Sequence, residues 1–564
     1  MSTEVAELVI TGARIRCGRR GGVTSWASAL AVRGDRVVRL GRDDDMTDLI
    51  GAHTRVVTGQ GRLVLPGFQD AHVHAPFAGR NQLRLWLNDT VGRAAYLDQI
   101  SAYAAAHPDE PWILGGGWAM EYFPGGTPRK EDLDAVVPDR PVFLFNRDVH
   151  GAWVNSRALE VGGIHAGTPD PSDGRIERDS ISGEPSGTLH EGAAYWFNDT
   201  IVPTPSTAEW RASILQAQRH LHGLGITGWQ DAWVTPGTLA AYRELAVGGE
   251  LTARVVGALW WDRHRGLDQI DDLLTQREGA SNAASPDVLG AGFHPTTVKI
   301  MTDGVLENHT GALLEPYCDG CGGHSDNHGL SYVDPDLLAE AVAQLDAHGF
   351  QVHLHAIGDR AARMSLDAIS VARERNGAND LRHHIAHLQV LQPADIPRFA
   401  ELGVVANCQA YWAQSEPQMD ELTIPFLGPE RAVLQYPFAA LRASGARLAM
   451  GSDWAVTTAN PLEQIEVAVN RVDPDHRDRA AFLPQFALGL DEALDAFTAG
   501  SAYVNHDAEA GELRVGARAD VVMLDTDICA PAFGHGGRLP VADATVDLTV
   551  ASGAVVHERM GTCG

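Results

Sequence analysis

From about Pro205 to Asp453, short apolar runs rich in β-branched residues alternate with longer stretches whose apolar residues recur at helical spacing. This alternation constrains the fold more than any other feature. A strand followed by an amphipathic helix, repeated, buries both only when the strands lie parallel and the helices cover them. The clearest unit is PDLLAEAVAQLDAHG, periodic and closed by a glycine, followed by the strand-like FQVHLHA. Eight strand-like runs occur in order: GFQDAHVH at 67–74, then GITGWQD, ARVVGALW, TTVKIM, FQVHLHA, HHIAHLQV, VVANCQA and RLAMGS. Eight such runs predict an α/β fold, a (β/α)8 TIM barrel.

About 150 residues separate the first two runs, too many for a loop, and they contain strand-like WILGGGW and PVFLFNRD. This interval is expected to be an inserted small α/β domain. ELVITGARI, ALAVRGDRVVRLG and TRVVTGQGRLVLPG near one end, and ADVVMLD and ATVDLTVASGAVVHE near the other, read as short strands and turns. Because chain ends commonly lie close together, both are expected to share one β-sandwich. The expected division is 1–65 sandwich, 66–95 first barrel strand, 96–205 insert, 206–504 barrel and 505–564 sandwich.

A net charge of −29 without a Lys/Arg cluster argues against nucleic acid as a partner. No apolar run reaches membrane-spanning length, and the six scattered cysteines form no disulfide framework, so a cytoplasmic protein without a membrane partner is expected. Cys318 and Cys321, with His324 and His328 following, could suggest a structural zinc site. They lie in a Gly-rich stretch with no second cysteine pair, so a turn is the preferred reading.

Barrel active sites lie at the C-terminal ends of the strands. His72 and His74 end the first run, Lys299 lies in the fourth, His355 ends the fifth, His387 lies late in the sixth, and Asp453 follows the eighth. All six can reach one rim. An H-x-H alone is weak evidence in a chain with 24 histidines, and His353 and His355 repeat it. His353, His383 and His384 are read as satisfied core histidines. Of 44 basic residues only Lys130 and Lys299 are lysines, which suggests that a lysine kept in an apolar strand is needed for its amine.

PGFQDAHVH at 66–74, VKIMTDG at 298–304, HAIGD at 355–359, IAH at 385–387 and GSDW at 451–454 together resemble the amidohydrolase superfamily. NRDVHGAWVNSRAL, SGTLHEGA and GELRVGARADVVMLD make the chain similar to the branch containing N-substituted formamide deformylase. The resemblance implies His72, His74, Lys299, His355, His387 and Asp453 as ligands of Zn2+, one or two divalent cations, with a carboxylated Lys299 as bridge. It further implies a metal-activated water attacking a C–N bond of an amide in a small-molecule substrate, with Asp453 moving the proton. Trp118 and His150 in the insert, and Glu307 and His309 after the fourth strand, are candidate substrate contacts. The family commonly has D-G-S-L-x-S-R-T-A where this chain has DGVLENHTGAL, and glycine where it has Val149. A mononuclear heterocycle deaminase, which would need a glutamate near strand five, and a non-catalytic binding or regulatory protein are the alternatives. A homodimer is left open.

Overall fold

A computed structural model describes residues 5–281, 291–320, 323, 325–531, 533–534 and 537–559. Its largest sheet has eight parallel strands in sequence order: β1 (Phe68–Val73), β2 (Ile226–Val234), β3 (Arg254–Trp260), β4 (Gly292–Met301), β5 (Gln351–Ala356), β6 (His384–His387), β7 (Val405–Cys408) and β8 (Leu448–Met450). Helices such as Pro335–Ala347 and Asp359–Asn376 cover its outside. The expected barrel and its eight strands are therefore present. The strands read as apolar runs because a parallel sheet is buried on both faces.

The barrel closes between β8 and β1 through loop backbone. Asp453 N–H donates to His72 O at 2.7 Å, and His74 N–H donates to Trp454 O at 2.8 Å. The buried Asp70 carboxylate tightens the seam, with Oδ1 accepting the amides of His72 at 2.9 Å and Ser452 at 3.1 Å. A β-carbon on Gly451 would lie 2.5 Å from His72 Cβ, so this closure requires glycine. The segments that carry His72, His74 and Asp453 are thereby joined.

The insert between β1 and β2 forms a six-stranded mixed sheet. Its order is Gly174–Arg178, Pro185–Glu191, Gly151–Val154, Val142–Asn146, Ile113–Trp118 and Leu85–Trp86. Trp118, Phe123, Trp153 and Tyr96 form much of its core on one face. The chain ends build two further sheets. One contains Leu8–Thr11, Ala29–Arg33, Arg36–Gly41 and Arg55–Thr58; in the other, Val521–Leu524 pairs antiparallel with Leu63–Pro66. Leu8, Ile10, Leu30 and Val32 of the first share a core with Ile15, Val64, Val521 and Leu548 of the second, so both ends of the chain meet in a β-sandwich. Buried Arg518 is held there by Asp507 and by Asp520 at 2.7 Å.

His383 lies beneath β6 as a satisfied core histidine. Its Nε2 donates to Asp346 at 2.7 Å and its Nδ1 accepts Val352 N–H at 3.0 Å. Asp346 also accepts Asn376 Nδ2 at 2.8 Å and Asn379 Nδ2 at 2.8 Å. Burial alone would raise its pKa, but the donors from His383, Asn379 and Asn376 prevail and hold it at about 2. Asp346→Ala should cost about 3 kcal/mol, since buried donors lose a charged acceptor; urea unfolding at neutral pH measures this. A carboxyl with a depressed folded pKa stabilises fully above its unfolded value near 3.8 and loses that contribution as pH falls toward about 2. The gap between wild type and variant should therefore close on acidification through that window.

Candidate metal centre and active site

Asp453 is the point of convergence. Its Oδ1 lies 3.1 Å from His72 Nε2 and 3.0 Å from His74 Nε2, while Oδ2 lies 4.0 Å from His387 Nδ1. The His72 and His387 ring centroids are 4.8 Å apart, and those of His355 and His387 are 4.5 Å apart. Lys299, buried in β4, lines the same cavity of about 50 Å³ with all four imidazoles and Asp453. Thus the six ligands expected from the sequence face one space, although only His72, His74 and Asp453 form a tight three-ligand group.

A hydrogen-bond relay inside the barrel determines which nitrogen of His72 is free. Gln351 Nε2 donates to two backbone carbonyls, Arg382 O and Val504 O, each at 2.8 Å. Its Oε1 must therefore accept, and it does so from Thr297 Oγ1 at 2.7 Å and Gln230 Nε2 at 3.1 Å. Gln230 consequently presents its oxygen to His353 Nδ1 at 2.8 Å and His384 Nε2 at 2.9 Å, and both rings donate. Burial first, then neighbouring imidazoles and Lys299, hold His353 well below its ordinary pKa, so the ring is neutral and its Nε2 is an acceptor. That nitrogen sits 3.0 Å from His72 Nδ1, which must carry the proton. His72 Nε2 is left with its lone pair directed at the Asp453 oxygen.

Two acceptors 3.1 Å apart repel unless a positive species lies with them. Asp453 Oδ1, His74 Nδ1 and His387 Nδ1 are buried without hydrogen-bond partners. Burial, assisted by Lys299, pushes His72 down to about 3, and burial likewise keeps His355 and His387 well below the usual range. A proton is thus disfavoured on these rings, and neutral imidazoles beside a carboxylate suit a divalent cation such as zinc. On His355, Nδ1 is committed to Asp303 at 3.0 Å, leaving Nε2 for a cation. Asp303 is held by the amides of Ile357 at 3.1 Å, Gly358 at 2.8 Å and Ala312 at 2.9 Å.

The insert contributes His150 to the cavity. Burial would lower its pKa, but the Glu191 carboxylate, 2.8 Å from Nδ1, raises it to about 8. Thr310 Oγ1 at 2.7 Å and Asn308 Nδ2 at 3.2 Å support Glu191 in turn. Preceding His150, Val149 has φ +65°. A β-branched residue in that region stores about 1–3 kcal/mol of strain.

Other expected contacts fall elsewhere. Trp118 is buried in the core of the insert, its indole N–H donating to Leu144 O at 2.9 Å, and it lines neither this cavity nor the chamber outside it. His309 packs on Phe426, with ring centroids 4.4 Å apart, and faces a separate surface pocket. Glu307 lines the outer chamber and accepts Thr423 Oγ1 at 2.7 Å. His353 and His384 are buried as expected but belong to the relay that orients His72. Asp303, Glu191, Asp148 and Gln230 were not anticipated, although the first three lie within motifs that attracted notice. Cys321 and His324 are outside the described residues.

The model of the amidohydrolase family matches residues 55–557. The chain is 30% identical over 544 residues to Protein LONG AFTER FAR-RED 3 of Arabidopsis thaliana, covering 93% of this chain and 88% of that one. It is 26% identical over 578 residues to N-substituted formamide deformylase of Arthrobacter pascens, covering 99% and 100%. A crystal structure of an uncharacterized metal-dependent hydrolase from Pyrococcus furiosus shares the fold with TM-score 0.70 at 24% identity, covering 92% and 99%. The chain belongs to the amidohydrolase family and is a hydrolase.

If the relay and the Asp303 bond orient the ligands, Gln230→Leu and Asp303→Ala should each weaken zinc affinity about 10–100-fold without unfolding the barrel. Competition with a chromophoric chelator, with circular dichroism as the folding control, measures this.

Proposed function

We propose that this enzyme hydrolyses the C–N bond of a small amide, an N-substituted formamide or a related N-acyl or cyclic amide. The observation that carries the reading is the convergence of His72 Nε2 and His74 Nε2 on one unpartnered oxygen of buried Asp453. His72, His74, His355, His387, Asp453 and Lys299 would hold one or two divalent cations, zinc by their chemistry. When bound, such a cation polarises a carbonyl and brings the pKa of water from 15.7 to roughly 7.

Asp453 is the base. Its Oδ1 lies 3.1 Å from His72 Nε2 and 3.0 Å from His74 Nε2, so it takes a proton from water held there and returns it to the departing nitrogen. His150, kept cationic by Glu191, faces the same cavity from the insert and is placed to stabilise negative charge developing on the carbonyl oxygen. Burial lowers Lys299 to about 7, which makes its neutral amine available to combine with carbon dioxide as a carbamate. The cavity of about 50 Å³ suits a small acyl group, in keeping with the deformylase relative. Among the described residues no glutamate lines it, which disfavours the deaminase alternative.

Purified enzyme should contain one to two equivalents of divalent metal. Stripping it should abolish turnover of a panel of N-substituted formamides, N-acyl amines and cyclic amides; undiminished hydrolysis by metal-free protein would refute the mechanism. Asp453→Asn should fold yet lose roughly 10²–10⁴ in kcat, because an amide cannot accept the proton. Lys299→Ala should lose both metal and activity, with partial rescue by acetate or propionate, whereas Lys299→Arg should resist rescue because a guanidinium stays protonated. A crystal structure showing unmodified Lys299 turned away from a filled metal site would overturn the carbamate.

A further inference from the structure

Outside the metal cavity lies a chamber of about 470 Å³ that shares Asp148, Trp412 and Val456 with it. Among the described residues, six carboxylates line this chamber: Asp89, Asp148, Glu307, Glu416, Glu463 and Asp475. Arg147 is their single guanidinium, and it is already engaged by Glu121 at 3.3 Å and Gln418 at 3.2 Å. The remaining basic side chain, His220, is lowered by burial and is neutral.

Asp148 stands at the junction of the two spaces. It is 9% exposed, and both carboxylate oxygens are buried without a hydrogen-bond partner. Its cationic neighbour His150 is committed to Glu191 at 2.8 Å. An unpaired carboxylate at such burial is expensive unless a ligand completes it. The wall beside these acids is aromatic, formed by Trp86, Tyr411, Trp412, Tyr436 and Trp454. Carboxylates set among electron-rich rings form an environment for a weakly hydrated organic cation.

We propose that the substrate carries a basic nitrogen, an ammonium, amidinium or guanidinium, which Asp148 receives in this chamber with Glu307 and Glu416 behind it. The inference rests on the hydrolase reading for what happens next door and adds the chemical class of the group that is held. Burial first, reinforced by Glu307 against the opposing His150, pushes Asp148 up to about 7; burial with Glu121 and Glu307 does the same to Glu416 against Arg147. A bound cation relieves this crowding of like charge. An anionic substrate would meet the opposite field.

Benzamidine and benzamide are near-isosteric and differ by one positive charge, so they test the proposal by calorimetric titration of the zinc-loaded enzyme. Benzamidine should bind about tenfold or more tightly than benzamide, and Asp148→Asn and Glu416→Gln should each erode that preference. Equal binding of the two probes, or a preference untouched by both substitutions, would overturn the proposal. The readout is binding, so a missing preference in an enzyme that still turns over amides defeats this inference alone. A cation preference in a protein that turns over none of the amide panel would defeat the amide reading alone.

Discussion

The site depends on one amide side chain. Gln351 is pinned at the base of β5 by two backbone carbonyls, and from that point each donor and acceptor along Gln230, His353 and His72 follows without choice. The consequence is a lone pair on His72 Nε2 set against the Asp453 carboxylate. Burial refuses a proton to the ring, so the energetic demand of the arrangement is for a cation. Backbone groups of strands that must form anyway thus dictate the chemistry at the barrel mouth.

Closure of the barrel serves the same end. Loop backbone joins β8 to β1, so Asp453 is fixed to the carbonyl of the residue whose ring it faces. Asp70 below and Gly451 beside it permit that approach. The insert completes the cavity from the other side by presenting the His150–Glu191 pair, supported by Asn308 and Thr310 from the loop after β4. Strain at Val149 is local and is offset by the buried partners around it.

The polarity of the two spaces differs for a physical reason. The inner cavity gathers His72, His74, His355, His387 and Lys299 around Asp453, nitrogen and oxygen donors suited to a cation, with cationic His150 beside them. The outer chamber collects carboxylates with little internal compensation. A molecule bridging them would meet the proposed metal centre at one end and an acidic, aromatic surface at the other.

The barrel, the insert, the sandwich and six convergent ligand candidates were legible in the chain, because period-2 and period-3.6 patterning reports burial directly and barrel strands present their functional residues at one predictable end. The lysine scarcity singled out Lys299 by the same local reading. Residues whose roles depend on distant partners were not legible. His353 and Asp303 acquire meaning only from Gln230 and His355, Glu191 only from His150, and Asp148 only from the chamber around it. Trp118 and His309 were misplaced because local sequence does not say which face of an inserted sheet or loop turns toward the barrel. Sequence alone determined the fold and the kinds of atoms at the strand ends; tertiary structure decided their tautomers, charges and neighbours, since hydrogen bonds and burial between residues hundreds of positions apart set those properties.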